Sequence, residues 1–270
     1  MPELPEVETT VRGLRPVLQG RRLLRVEPRR ADLRRPIPGD LRQRMVGASV
    51  TSLGRRGKYG LIGTDRGDTM IFHLGMSGRW RIDPPEIAAH DHLLVETHDG
   101  HVLALNDPRR FGSVDLVRSD AVAGFPAFAA LGPEPLGDGL DGGYLAERFA
   151  GRAAPVKALL LDQRIVAGLG NIYVCEALHI AGIAPTRPGG RIARARLDAL
   201  VDAIKAVLLS AIAAGGSTLR DYAQPNGALG YFSKQFLVYG RENEACTCGE
   251  PVLRRVDGGR STFHCAACQH

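Results

Sequence analysis

Between residues 20 and 118 apolar and polar positions alternate in short runs, RRLLRVEP, KYGLIGT, TMIFHLGM, HLLVETH, HVLALND and SVDLVR, separated by turn signals. A period of two at this run length predicts antiparallel strands, and strands so closely spaced predict a β-sandwich. The stretch His98-Asp99-Gly100-His101 supplies a two-residue hairpin turn. Ahead of the strands, Val7, Val11, Leu14 and Leu18 recur at helical spacing, so the chain opens on a helix packed against the sandwich. Pro5 suits the first turn of that helix, and Glu6 and Glu8 complement its positive end.

Residues 131–143, LGPEPLGDGLDGG, read as a linker rich in glycine and proline, and beyond it the period becomes helical. One helix is predicted over 144–162, a second from Asn171 to about Ala181, and a longer third along Leu197, Leu200, Val201, Ile204, Val207, Leu208 and Ile212, stopping at Gly215-Gly216. The polar segment 217–231, STLRDYAQPNGALGY, is expected to be a mobile connection. The fold class is therefore α+β: a helix and antiparallel sandwich over 1–130, a linker over 131–143, a helical domain over 144–232 and a cysteine-bearing module over 233–270.

A length of 270 residues suffices to bury a core without disulfides and suits two domains. No run approaches eighteen apolar residues and the start is charged and proline-rich, so neither a membrane span nor a signal peptide is expected, and the location is cytoplasmic. A net charge of +6 and a pI near 9.3 favour a polyanionic partner. Of 35 basic residues only Lys58, Lys157, Lys205 and Lys234 are lysines, which hints that a titratable amine is wanted at each.

Four of the five cysteines fall in the last 25 residues, as CTCGEPVLRRVDGGRSTFHCAAC. Two close pairs flanking strands and a Gly258-Gly259 turn predict a zinc ribbon held by Cys246, Cys248, Cys265 and Cys268. The first pair is separated by Thr247 alone, which shortens that knuckle and can remove an amide-to-sulfur hydrogen bond; His264 is then a conceivable substitute ligand. A disulfide framework is the alternative, disfavoured where thiols stay reduced. Cys175 reads as a buried small residue on the second helix. The VAGLGN turn can present backbone amides and Asn171 to phosphate, or simply pack two helices. Pro2 and Glu3 precede the first helix; if Met1 is trimmed, residue 2 becomes a free secondary amine with a carboxyl group beside it.

Taken in order from first residue to last, MPELPEVETTVRGL, RRGKY, HLGMSGR, HDH, NDPRRFG, LGPEPL, GLGNIYVCEAL, PGG, VYGRE and GGRSTFHCAACQ resemble the bacterial formamidopyrimidine-DNA glycosylases. The resemblance implies a helix-two-turn-helix in the 144–232 domain, one structural zinc, and a monomer that acts on double-stranded DNA containing oxidised purines or abasic sites. It implies Pro2 as the amine nucleophile, Glu3 as the acid that opens the sugar and releases the base, Lys58 as a proton donor in β-elimination, and Arg260 for δ-elimination and phosphate grip. It assigns Met76, Arg109 and Phe111 to a wedge that fills the space left by the extruded base, and His90, Arg109, Arg152 and Asn171 to phosphate and DNA contacts. Arg152 stands where a lysine is common, which preserves charge. The 217–231 segment corresponds to a flexible cover over the base.

Three other readings compete. An endonuclease VIII-like enzyme acting on oxidised pyrimidines shares the Pro-Glu start, but Leu4, the VETT continuation and the wedge trio argue against it. A non-catalytic zinc-ribbon DNA-binding protein leaves Pro2, Glu3 and Lys58 without a joint purpose. An N-terminal proline base acting on small keto acids has no use for the C-terminal half.

Overall fold

The structure, a computed structural model, describes residues 1–218 and 223–270. Residues 219–222 belong to the segment expected to be a mobile cover, and that part of the expectation lies outside the described residues. The chain divides into two compact units, Met1–Ala129 with Ala214–Tyr231, and Ala130–Ala213 with Phe232–His270.

The first unit runs α1 (Leu4–Leu18), β1 (Leu23–Pro28), α2 (Leu41–Met45), β2 (Val50–Arg56), β3 (Tyr59–Thr64), β4 (Asp68–His73), β5 (Arg79–Ile82), β6 (Asp91–Thr97), β7 (Val102–Asn106), β8 (Ser113–Arg118) and α3 (Pro126–Ala129). The strands form two four-stranded antiparallel sheets, ordered β1-β6-β7-β5 and β2-β3-β4-β8. One apolar core joins Val26, Trp80, Leu93, Leu103 and Leu105 of the first sheet to Val50, Ile62, Met70, Phe72 and Val114 of the second. Val7, Val11, Leu14 and Leu18 of α1 enter the same core, each buried side chain contributing about 1.5–3 kcal/mol. The expected sandwich and helix are present. Two strands are additional, β2 and β5, and each lies at a sheet edge. VTSLGRR lacks an apolar alternation and RWRI alternates over only four residues, and both carry arginines, as charged edge strands tend to.

In the second unit α4 (Gly142–Phe149), α5 (Val156–Leu161), α6 (Asn171–Ile180) and α7 (Arg194–Ala213) precede the hairpin β9 (Leu253–Asp257) and β10 (Arg260–His264). The single helix expected over 144–162 is two helices. Gly151 takes φ +68° and Pro155 occupies the N-cap of α5, so the chain turns between them. Residues 131–143 are not free: the Gly132 N–H donates to the Gln163 carbonyl at 2.8 Å and the Ala167 N–H to the Pro133 carbonyl at 3.1 Å. The hairpin module is lashed to α6 through Glu176, whose carboxylate accepts the backbone N–H groups of Leu237, Val238 and Tyr239 at 2.8–3.0 Å. A small core of Cys175, Val238, Val252 and Phe263 closes beneath it.

Candidate active site and metal centre

The amino terminus is built around the start of α1. Pro2 is buried, and Glu3 occupies the helix N-cap at 3% exposure. Glu3 and Glu6 form a reciprocal capping box, in which the Glu3 N–H donates to Glu6 Oε2 at 2.9 Å and the Glu3 carboxylate accepts the N–H of Glu6. The second oxygen of Glu6 accepts the Ser217 N–H at 2.8 Å. A single carboxylate thus fixes the Glu3 backbone and the start of the 217–231 segment.

Lys58 sits in the two-residue turn between β2 and β3, where Arg56 pairs with Tyr59, and is 7% exposed. Its charge reaches His73, whose ring centre lies 4.7 Å from that of Tyr59. Burial first, then the charges of Lys58, Arg34 and Arg35, push His73 down to about 4, so its ring is neutral at pH 7. Its Nδ1 accepts the Gly75 N–H at 3.0 Å, which anchors the loop that carries Met76.

That loop is joined to residues 107–112 by Asp107, which is 1% exposed. Asp107 Oδ1 accepts from Ser77 Oγ at 2.8 Å and Oδ2 accepts the Gly112 N–H at 2.8 Å. Gly75, at φ +60°, lies so close to the second loop that a Cβ there would stand 2.3 Å from the Phe111 carbonyl carbon. The Arg109 guanidinium stacks 4.7 Å over the Phe111 ring. Met76 and Phe111 stay 36% and 46% exposed on this tied rim. His90, exposed, meets this rim through its carbonyl, which accepts the Asp107 N–H at 3.0 Å.

Four further residues lie in the second unit. Asn171 opens α6, and its Nδ2 donates to the Ser261 carbonyl at 2.8 Å. Arg260 follows the Gly258-Gly259 turn, where φ values of +55° and +75° suit a type I′ hairpin, and its side chain is exposed. Lys157, 3% exposed, secures this hairpin: Nζ donates to Thr262 Oγ1 at 2.6 Å and to the Ser261 carbonyl at 3.2 Å. Burial holds the Lys157 pKa below the ordinary lysine value. A cavity of about 550 Å³ opens here, lined by Lys157, Leu161, Pro185, Val256, Asp257 and Arg260. Arg152 is exposed at a different hollow, beside Gly190 and Arg191.

The thiols of Cys246, Cys248, Cys265 and Cys268 all lie within 4.8 Å of one another, with Cys248 to Cys265 at 3.5 Å and Cys246 to Cys268 at 3.9 Å. A tetrahedron with metal–sulfur bonds of about 2.3 Å requires sulfur separations of roughly 3.8 Å, so this donor set fits a tetrahedral ion. His264 is not among the clustered groups. The crowding tells against four thiolates without a cation. Contact with the Cys248 thiol, then burial, pushes Cys268 up to about 12.

Residues 1–114 match the family model for the formamidopyrimidine-DNA glycosylase N-terminal domain, and residues 131–223 match that for the H2TH domain of the same enzymes. The chain is 73% identical over 269 residues to the formamidopyrimidine-DNA glycosylase of Rhizorhabdus wittichii and 65% identical over 269 residues to that of Novosphingobium aromaticivorans, with 100% of both chains covered in each case. The chain belongs to the formamidopyrimidine-DNA glycosylase family. Among solved formamidopyrimidine-DNA glycosylases, the Thermus thermophilus MutM (FPG) protein superposes with a TM-score of 0.88 at 39% identity, covering 99% of this chain and 98% of that one. A Lactococcus lactis FPG variant in complex with a Fapy-dG containing DNA gives 0.91 at 32% identity, covering 100% of both.

Within this glycosylase fold the residues predicted from sequence fall into separate groups. Pro2 and Glu3 adjoin at the start of α1; Met76, His90, Arg109 and Phe111 belong to loops tied by Asp107; Asn171 meets the hairpin of Arg260; and the four cysteines cluster. Glu6 and Asp107 were not predicted as parts of the site, and Lys157 was marked only as one of four lysines in an arginine-rich chain. The E-x-x-E spacing at Glu3 and Glu6 is a capping-box signal that sequence can carry. Asp107 and Lys157 act through partners 30 and 105 residues away, which no local pattern reveals.

Proposed function

We propose that this protein is a bifunctional base excision repair enzyme, a DNA glycosylase and abasic-site lyase acting on oxidised purines, 8-oxoguanine and formamidopyrimidines, in duplex DNA. The observation that carries the proposal is the Pro2-Glu3 terminus, buried and held by Glu6 in a chain that matches formamidopyrimidine-DNA glycosylases over its whole length. While Met1 is attached, the Pro2 nitrogen is an amide and cannot attack. Removal of Met1 yields a secondary amine of pKa near 8, partly unprotonated at neutral pH.

In the proposed reaction the Pro2 nitrogen bonds to sugar C1′ as the glycosidic bond breaks and the damaged base leaves with a proton. Glu3 supplies that proton movement from its N-cap position. Loss of nitrogen's remaining proton and opening of the ring give a Schiff base between Pro2 and C1′. Abstraction of a C2′ proton then expels the 3′ phosphate, with Lys58 as proton donor, and a second elimination expels the 5′ phosphate. Arg260 is assigned to this last step mainly as a phosphate partner, because a guanidinium stays ionised and offers a bidentate fork. Met76, Arg109 and Phe111 fill the stack once the base is extruded, a role supported by two exposed apolar side chains on tied loops. His90, Arg152 and Asn171 bind the DNA backbone. One zinc ion held by Cys246, Cys248, Cys265 and Cys268 stabilises the hairpin, supported by the fit of the thiols to a tetrahedron. The enzyme is read as a cytoplasmic monomer.

The test is reductive trapping. With borohydride and an 8-oxoguanine duplex, a covalent DNA adduct is expected on the N-terminal peptide, and Pro2→Gly or a retained Met1 should reduce or abolish it. Stronger trapping on an oxidised-pyrimidine duplex would move the assignment to the endonuclease VIII-like reading, and no trapping on either would end it. Metal analysis of purified protein should give about one zinc per chain.

A further inference from the structure

The two knuckles of the cysteine cluster are not equivalent. Cys265 and Cys268 enclose two residues, and two backbone N–H groups, those of Cys268 and Ala267, point at Cys265 Sγ. Cys246 and Cys248 enclose only Thr247; the Cys248 N–H points at Cys246 Sγ, and the Thr247 hydroxyl oxygen lies 3.8 Å from it. A loop one residue shorter has one amide fewer to offer its sulfur. Ligand thiolates depend on such outer hydrogen bonds, and losing one typically costs 10–100-fold in metal affinity.

A side chain from another element stands at the deprived sulfur. His179, in the last turn of α6 and 7% exposed, places Nε2 3.8 Å from Cys246 Sγ, within hydrogen-bonding range for sulfur. Its Nδ1 is buried and makes no hydrogen bond among the described residues. This fixes the tautomer by elimination. A proton on Nδ1 would bury an unsatisfied N–H and turn the Nε2 lone pair toward an anionic sulfur, whereas a proton on Nε2 gives the sulfur a ring donor and leaves only a lone pair unfilled. The same helix carries Glu176, which receives three backbone N–H groups from residues 237–239, so α6 is firmly seated against the module and holds the ring in place.

We propose that His179 is a positioning residue for the metal centre, donating from Nε2–H to the Cys246 thiolate in place of the amide that the shortened knuckle cannot supply. The inference rests on the reading of the four cysteines as a structural zinc site. It makes the helix-two-turn-helix and the ribbon interdependent: the ligand sphere is completed by a residue 67 positions upstream of the first cysteine.

The experiment uses zinc-loaded full-length protein and a chromogenic chelator in excess. His179→Phe keeps the ring volume and removes the donor; His179→Gln offers an amide N–H at the reach of Nε2. Zinc release from His179→Phe should be at least about tenfold faster than from wild type, with His179→Gln restoring most of the difference. Cobalt(II) substitution supplies a readout that packing alone would not move. Without its hydrogen bond the thiolate is easier to oxidise, so the sulfur-to-cobalt charge-transfer band should shift to lower energy in His179→Phe, while the ligand-field bands of the four-sulfur tetrahedron stay in place. Equal release rates in wild type and His179→Phe would overturn the proposal, as would altered ligand-field bands, which would make His179 a direct ligand. Should His179→Phe fail to fold, His179→Leu carries the same comparison. Wild-type protein that binds no zinc would remove the zinc reading together with this one, whereas zinc-bound wild type with an indifferent His179→Phe removes this one alone.

Discussion

His73 shows how one side chain can report on the surroundings of a catalytic candidate. It is pushed down to about 4 by burial first and by Lys58, Arg34 and Arg35 next, whereas in an unfolded chain it titrates near 6.5. Above pH 6.5 neither state holds the proton. Between 6.5 and 4 only the unfolded chain binds it, so stability falls as the pH drops across that window, by about 3 kcal/mol in all at roughly 1.36 kcal/mol per pKa unit. His73→Asn removes the titration while Oδ1 can still accept the Gly75 N–H that Nδ1 now accepts. In denaturant melts at pH 7 and pH 4.5, wild type should lose up to about 3 kcal/mol more than the variant. Parallel losses would mean that His73 is not held neutral in the folded protein. Glu6 has a comparable reach, because both of its oxygens are occupied by backbone N–H groups, those of Glu3 and Ser217. Glu6→Gln replaces one acceptor by an NH₂ facing an N–H, and a destabilisation of about 1–3 kcal/mol is expected in the same melts, with Met1 removal unchanged by mass spectrometry.

At the scale of elements, the loops 74–78 and 107–112 behave as one structure, because Asp107 accepts from both and Gly75 lets their backbones touch. Gly75→Ala combines a left-handed backbone, costing about 1–2 kcal/mol for a residue with a Cβ, with a contact that the Phe111 backbone must yield to. Asp107→Ala leaves the Ser77 hydroxyl and Gly112 N–H without their acceptor, at about 1–3 kcal/mol for each group that stays buried. Both changes loosen the same junction. The double variant should therefore be more stable than additivity predicts, by about 0.5 kcal/mol or more, and strict additivity would show that the loops are independent. Much of the architecture was legible in advance where burial imposed a period. The strands β1, β3, β7 and β8 fall within the runs that predicted them, β4 and β6 start one residue earlier, and the amphipathic α1 and the helices α6 and α7 coincide with their predicted stretches to within a turn. The edge strands β2 and β5 were not legible because VTSLGRR carries no apolar alternation and RWRI alternates over only four residues. The break between α4 and α5 was missed because the apolar spacing continues through Gly151 and Pro155, where the backbone does not.

At the scale of the whole molecule, the candidate site was readable to unequal depths. Pro2, Glu3 and the cysteine pairs stand out by residue type and spacing, while Met76 and Phe111 look like core residues until a family resemblance assigns them to a wedge. Asp107, Lys157 and His179 escape any sequence pattern, since each acts on a partner at least 30 residues away and is buried like an ordinary structural group. The net charge of +6 is a property of the entire chain, and it bears on function only if particular cations meet phosphates. Each phosphate neutralised by a side chain contributes about 0.9 to the slope of log K against log salt, through counterion release. Arg152 and Arg260 are both exposed, and each belongs to a different hollow of the second unit. Arg152→Ala and Arg260→Ala should each make that slope shallower by about one, measured by anisotropy titration of an abasic-site duplex from roughly 50 to 200 mM salt. If Met76 enters the stack as proposed, Met76→Ala removes apolar contact and no charge, so it should weaken binding by a similar factor at every salt concentration and leave the slope unchanged. A slope untouched by both arginine substitutions would place their guanidinium groups away from the DNA backbone, and a slope changed by Met76→Ala would mean that the wedge governs how many phosphates the protein reaches.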